Sequence, residues 1–260
     1  MLNILFENTT FLGIDPTAGQ RPIVYAALDN ELHLLALGAG ALNDVLAFVA
    51  GLRQALVAVS APRRPNTGAL NDPAIRQRLV PPPRPGHWTN FRLAEYQVRI
   101  HNIHIPQTPA REEDCPGWMR TGFTLFRRMD ELGYLSFPEE AERQYLEVYP
   151  HACYAVLLGR NPLPKYSLEG RLQRQLVLFE QNARVQDPMR FFEEITRHHL
   201  LHGSLPFDKL YSPQELDALV GAFTAWKAFH HPDQVSCLGD PAEGQLVLPA
   251  AELSARYPNP

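Results

Sequence analysis

The sequence predicts an α/β protein on a mixed sheet, three antiparallel strands then parallel ones, flanked by helices and carrying a Pro/Arg-rich insertion. Three observations predict it. Apolar β-rich runs joined by Asp29-Asn30 follow a first apolar run, Phe11 to Asp15. A stretch of helical periodicity separates these from another short β-branched run. A helix with a full set of start signals comes late in the chain. The expected organisation is a single domain over 1–260, with an irregular insertion over 62–117 inside it.

Thr10 to Asp15 reads as a buried strand, and Pro22 to Leu28 and Glu31 to Leu37 as the next two. Asp29-Asn30 between the latter predicts a tight hairpin, because both residue types tolerate positive φ. Ala41 to Gln54 places Leu42, Val45, Leu46, Val49 and Leu52 at helical spacing. Leu56 to Val59 is a fourth strand, ended by Ser60-Ala61-Pro62. A helix between strands allows the fourth to pair in parallel with the first. From Pro62 to about Gly117 Pro, Arg and His dominate, with one helical piece near Asn90 to Arg99. A loop this long is functional or disordered.

Phe123 to Leu132 returns to helix, Tyr145 to Tyr149 to strand, and His151 to Leu158 and Leu168 to Gln181 to helix. Asp187-Pro188 starts a further helix that Gly203 closes. Ser212-Pro213-Gln214-Glu215 is a capping box with Pro at the first helical position, and its helix runs to about Phe229. Gly239 to Gly244 is a turn and Gln245 to Leu248 a last strand. The order β-β-β-α-β, with a late helix, is the layout of the ribonuclease-H-like fold.

Composition narrows the function classes. The balance of 24 basic and 28 acidic residues gives a net charge of −4, which argues against a polycationic coat protein and leaves room for a local basic patch. Cys115, Cys153 and Cys237 are odd in number and far apart. They cannot close a disulfide framework, so a reducing, cytoplasmic setting is expected. Met1 to Thr10 lacks the basic and apolar regions of a signal peptide. The most apolar region, Leu32 to Val59, is broken by Asn43, Asp44, Arg53 and Gln54, so no membrane span is expected.

Three acids stand in chemically suggestive settings. Asp15 ends the first strand, Glu147 lies in the strand before Pro150, and Asp217 is one turn into the late helix. Carboxylates at strand ends and on a nearby helix can hold divalent metal over a phosphodiester. Asp15, Glu147 and Asp217 are therefore the candidate catalytic residues and the candidate ligands of Mg²⁺ or Mn²⁺, in a two-metal mechanism. Each has a plainer alternative: a turn-forming Asp-Pro, a strand acid paired with an arginine, and an acid favoured by a helix N-terminus. Arg63, Arg64 and Arg92 in the insertion, and Lys165, Arg171 and Arg174 beyond the strand of Glu147, are the candidate contacts to nucleic acid. The histidines, among them His101, His104, His198, His199 and His202, lack the paired spacing of a zinc site.

Gly13-Ile14-Asp15, Val57 to Pro62, Glu147-Val148-Tyr149-Pro150, Gly170-Arg171, Leu216-Asp217-Ala218-Leu219 and Gly239 to Gly244 with Leu248-Pro249 together resemble the domain-of-unknown-function family 429. The resemblance implies a ribonuclease-H-like fold and the activity of a nuclease. It also implies a departure. Where the family's fourth strand usually ends in Ile-Asp-x-Pro, this chain has Ser60, and Gln214 is neutral where related resolvases often carry an acid or His. Two alternatives follow. One is a catalytically inactive module that binds nucleic acid or a protein. The other is a nucleotide phosphotransferase of the actin-like type, suggested by Gly13 to Gly19.

Overall fold

A computed structural model of the chain describes residues 9–17, 21–84, 88 and 90–260, the side chain of His198 excepted. The Ala18-Gly19 part of the phosphate-loop-like stretch, residues 1–8 of the N-terminal reading and the Pro85-Gly86 step lie outside the described residues. In chain order the strands are β1 (Thr10–Asp15), β2 (Ile23–Leu28), β3 (Leu34–Gly40), β4 (Ala55–Val59), β5 (Leu135–Ser136), β6 (Arg143–Glu147), β7 (Ser236–Asp240) and β8 (Gly244–Leu248). The helices are α1 (Leu42–Ala50), α2 (Pro73–Arg78), α3 (Leu93–Arg99), α4 (Gly117–Glu131), α5 (Pro150–Leu158), α6 (Leu168–Glu180), α7 (Met189–His202) and α8 (Pro213–His230).

These strands form one mixed sheet in the order β3-β2-β1-β4-β6-β8-β7, with β5 on β6. The β1–β2 and β2–β3 pairs are antiparallel, and β4 runs parallel to both β1 and β6. The crossover through α1 gives β4 its parallel place beside β1, which is the ribonuclease-H-like arrangement. Phe11, Leu56, Ala58, Leu146 and Val148 pack against α8 on one face of the sheet. Leu12, Ile14, Val57, Val59 and Tyr145 pack with Val45 and Val49 of α1 and Phe126 and Met129 of α4 on the other. Such strict alternation is what a sheet covered on both faces requires. Among the described residues no helix is long and apolar enough to cross a membrane.

Several local expectations change. The β2–β3 connection is not a two-residue hairpin. Leu28 pairs with Leu34, leaving five residues between them, and the positive φ falls on Leu32. The Asp29 carboxylate accepts from the Glu31 and His33 amides and organises this longer turn. Helix α1 stops at Ala50, because Gly51 ends it before Arg53 and Gln54. Strands β5 and β7 were not anticipated; β5 is two residues long, and β7 has no buried residue.

The insertion is less irregular than its composition suggests. Asp72 caps α2 through the Ala74 amide, with Pro73 at the first position. Helix α3 packs on β7 and β8. Buried acids hold the segment down. Glu95 accepts from the Arg92 and Thr108 amides and from the Thr108 hydroxyl. Glu243 accepts from the Leu93 amide at 2.7 Å, and from Thr67 through both its amide and its hydroxyl.

Candidate active site

Asp15 and Asp217 meet because β1 and α8 touch almost backbone to backbone. A Cβ on Gly13 would overlap the Ala218 carbonyl and the Ala222 amide, so only glycine fits there. Across the same contact, Gly221 sits over Gly13 and Ala58. The start of α8 is fixed by its capping box. The Ser212 hydroxyl accepts from the Glu215 amide and the Glu215 carboxylate from the Ser212 amide. This sets Asp217 one turn in, over the end of β1. At that strand end the Asp15 carboxylate accepts from the Thr17 amide at 3.1 Å, and Thr17 in turn donates to the Arg21 carbonyl.

Both acids open into one cleft of ≈ 550 Å³. Ser60, Lys165 and Gln214 also line it, and so do Arg21, Trp118, Tyr149 and Tyr166. Lys165 lies in the loop before α6, whose start is capped by Ser167. Its ammonium donates to Asp217 Oδ2 at 2.6 Å. Burial, and then the charge of Asp217, raise the Asp15 carboxyl from 3.8 to about 6; the Thr17 amide and Lys165 oppose the rise. Burial also raises Asp217, against the pull of Lys165. Burial alone would lower the Lys165 ammonium, but Asp217 and then Asp15 outweigh it and hold it protonated. The pair is electrostatically short of positive charge, and Lys165 is the cation it has recruited.

Ser60 occupies the place beside Asp15. Its amide bonds to the Ile14 carbonyl, so its side chain lies on the Asp15 face. The hydroxyl is buried and has no hydrogen-bond partner among the described residues.

Glu147 is not brought to this cleft. It pairs in register with Val59, which pairs with Ile14, so its side chain leaves the sheet on the face opposite Asp15. There Arg92 clamps it at 2.9 and 3.0 Å, and the Arg63 amide adds a third bond at 2.6 Å. The ion pair is buried on both sides, at 3% exposure each. Its oxygens are committed to these donors.

Two of the expected nucleic-acid contacts, Arg92 and Arg174, are likewise internal, and a third, Arg171, is half-buried. Besides holding Glu147, Arg92 donates to the carbonyls of Glu243 and Gly244. Gly244 is required here: its φ is +110°, and a Cβ would strike the Glu147 carboxylate. Arg174 is 2% exposed, donates to the carbonyls of Leu163 and Gly170, and lies over the Tyr154 ring. Arg171 donates to the carbonyls of Leu210 and Tyr211. Burial explains Arg92 and Arg174: an interior guanidinium must satisfy its donors within the protein. Arg63 is mostly covered, 3.6 Å from Asp130 and over the Tyr145 ring. Arg64 is exposed, and Lys165 reaches the cleft itself. Sequence reasoning did not single out Arg21, Trp118, Tyr149 and Tyr166 as cleft residues. Only the proximity of Arg21 to Asp15 hinted at one of them.

The donor set suits one hard divalent cation. Mg²⁺ is commonly held by one or two carboxylates, with water and substrate phosphate completing its shell. Asp15 and Asp217 supply two carboxylates, and the Lys165 ammonium already stands in for a cation at Asp217. A pair of ions needs more acids than this. Glu147 points away, Ser60 offers a hydroxyl and Gln214 an amide.

A family model described as "Protein of unknown function (DUF429)" matches residues 13–244, a span from the Gly13 contact through Asp217 to Gly244. No curated protein and no solved structure matches the chain.

Proposed function

The chain belongs to the DUF429 family, and from that premise we propose that it is a metal-dependent nuclease cleaving phosphodiester bonds in nucleic acid. The reading rests on one observation: the strand-end Asp15 and the helix-borne Asp217 converge in an open cleft, where burial and the charge of Asp217 raise the Asp15 carboxyl. One Mg²⁺ or Mn²⁺ held by Asp15 and Asp217 would polarise a phosphoryl oxygen and lower the pKa of a bound water. The two-metal scheme expected from three acids is replaced by one ion and one lysine. Lys165 supplies the second positive charge. Released from Asp217, its ammonium is placed to bear charge on a non-bridging phosphate oxygen. Trp118, Tyr149 and Tyr166 wall the cleft with rings on which a base can stack. Arg21 at the rim, with exposed Arg64, offers backbone-phosphate contacts.

A calorimetric titration of Mn²⁺ into wild type, Asp15→Asn and Asp217→Asn tests the ion site. Incubation of single- and double-stranded DNA and RNA with Mg²⁺, Mn²⁺ or EDTA tests the chemistry. Wild type should bind about one ion per chain and cut only with metal, and both variants should lose both properties. Cutting that survives either substitution rules out this assignment.

A second reading is favoured by the Lys165–Asp217 ion pair and by Ser60. A site neutralised by its own lysine, and lacking the strand-four acid, suits a nucleic-acid-binding module that does not cut. Salt-sensitive binding with no metal uptake and no cleavage would select it.

A further inference from the structure

The turn between β2 and β3 lies at the end of the sheet away from the cleft, because Phe11 pairs with Leu28 and Asp15 with Val24. It gathers a second set of metal-binding side chains. Asp29, Glu31 and His33 each offer one donor atom, and the three atoms lie within 4.8 Å of one another. Two donors on one zinc ion stand no more than roughly 4.3 Å apart. Glu31 and His33 are exposed, so a small rotation of either closes the gap. Among the described residues no lysine or arginine forms an ion pair with Asp29 or Glu31, and His33 alone balances them.

The turn fixes these groups before any ion arrives. Asp29 Oδ1 accepts from the Glu31 amide at 2.9 Å and the His33 amide at 2.8 Å, which leaves Oδ2 to face His33 Nδ1 at 3.1 Å. Leu32, between Glu31 and His33, is buried, and its carbonyl accepts from the Arg184 amide. Helix α8 grips the turn from the other side. Trp226 Nε1 donates to the Asn30 carbonyl at 2.8 Å, and His230 Nε2 lies 3.3 Å from Asn30 Oδ1. The His230 ring is wedged among Phe11, Trp226 and Phe229. Burial, and then His231, lower its imidazole against the pull of Glu31, so it is neutral near pH 7. A second imidazole, from a different element, therefore borders the cluster with a lone pair to give. Imidazole together with carboxylate suits Zn²⁺ better than Mg²⁺, and Mn²⁺ stands low in the divalent affinity order.

We propose that Asp29, Glu31 and His33 bind one Zn²⁺, with His230 as the fourth donor, and that this ion clasps the β2–β3 turn to the end of α8. The ion replaces the Nδ1–Oδ2 contact, and any proton on His33 Nδ1 goes to solvent. Asp217 and His230 stand near opposite ends of α8, roughly 20 Å apart at 1.5 Å per residue. The zinc site is therefore separate from the Asp15–Asp217 cleft and does not depend on the nuclease reading. Mn²⁺ at concentrations that fill the cleft should leave the turn empty, because the turn selects for an imidazole-seeking ion.

The test is calorimetric titration of Zn²⁺ into the untagged full chain carrying Asp15→Asn and Asp217→Asn, in which the cleft carboxylates are gone. About one ion per chain should bind, an excess of Mg²⁺ should not displace it, and Tm should rise by roughly a few degrees. Adding His33→Gln or Glu31→Gln should weaken binding roughly tenfold or more and remove the rise in Tm, while circular dichroism shows an unchanged fold. His230→Gln should weaken binding severalfold. Co²⁺ in place of Zn²⁺ should give visible absorption bands of a tetrahedral ion that vanish in His33→Gln. Absence of Zn²⁺ binding, or binding that both His33→Gln and Glu31→Gln leave unchanged, overturns the site. Either result leaves the nuclease reading where it stands, because the titrated protein lacks the cleft acids.

Discussion

Replacing Asp15 by Asn should make the protein more stable and less active at neutral pH. The Asp15 carboxyl is raised from 3.8 to about 6 by burial and by Asp217. The folded state therefore holds this proton more tightly than the unfolded chain does. Stability falls as pH rises from about 4 to about 6 and stays lower above that range. A displacement of roughly two pH units, at 1.36 kcal/mol each, is about 3 kcal/mol. Asparagine is the neutral carboxyl's near-isostere and escapes this penalty. Near pH 7.5 Asp15→Asn should gain about 2–3 kcal/mol, a rise in Tm of roughly 5–10 °C for a chain of this length. Near pH 4 the two proteins should melt together. Saturating Mn²⁺ should then close the gap, because an ion at a hundred times its Kd stabilises wild type by about 2.7 kcal/mol and leaves the variant unmoved. Urea unfolding followed by circular dichroism at both pH values, with and without Mn²⁺, measures all of this. A wild type as stable as Asp15→Asn near pH 7.5 would refute the claim that Asp15 is an electrostatically strained carboxylate.

Four further outcomes follow from the same contacts. Glu147→Gln leaves the buried Arg92 without its counter-charge and should cost about 3–5 kcal/mol in urea unfolding. The folded fraction should still take up Mn²⁺, and loss of uptake in folded protein would return Glu147 to the metal site. Gly13→Ala drives a methyl into the α8 backbone and should cost about 3 kcal/mol, read as a fall in Tm. Lys165→Met removes the internal cation, so Mn²⁺ should bind roughly tenfold more tightly by calorimetry while cleavage falls. Ser60→Asp adds a third carboxylate beside Asp15, which should destabilise the metal-free protein and tighten Mn²⁺; unchanged affinity would show that position 60 does not face the ion.

How much was legible depends on whether the signal is local. The strands β1, β4 and β6 and the helix α8 announce themselves through periodicity and caps within a few residues of chain. The capping box alone places Asp217, since it fixes where α8 begins. The Pro/Arg-rich segment was legible only as composition. An arginine there looks like a phosphate contact until the acid that buries it is known. The acids that bury Arg92 and seat Leu93, Glu147 and Glu243, arrive from β6 and from the β7–β8 turn.

The case of Glu147 shows where reading a strand by itself must fail. Alternation within β6 correctly groups Glu147 with Tyr145, and alternation within β1 correctly separates Asp15 from Ile14. Neither pattern says which face of one strand matches which face of the other. That is settled by register, and a one-residue slip would exchange the faces. Here Val59 pairs with both Ile14 and Glu147, so Glu147 inherits the Ile14 face and Asp15 finds Ser60 at its side. A strand-end acid is thus a candidate ligand only if it shares parity with Asp15 through β4. By that test the sheet offers the cleft one acid and one serine, and the second carboxylate has to come from α8. The same parity exposes Glu147 to the insertion, where it holds Arg92 and ties that segment to the sheet.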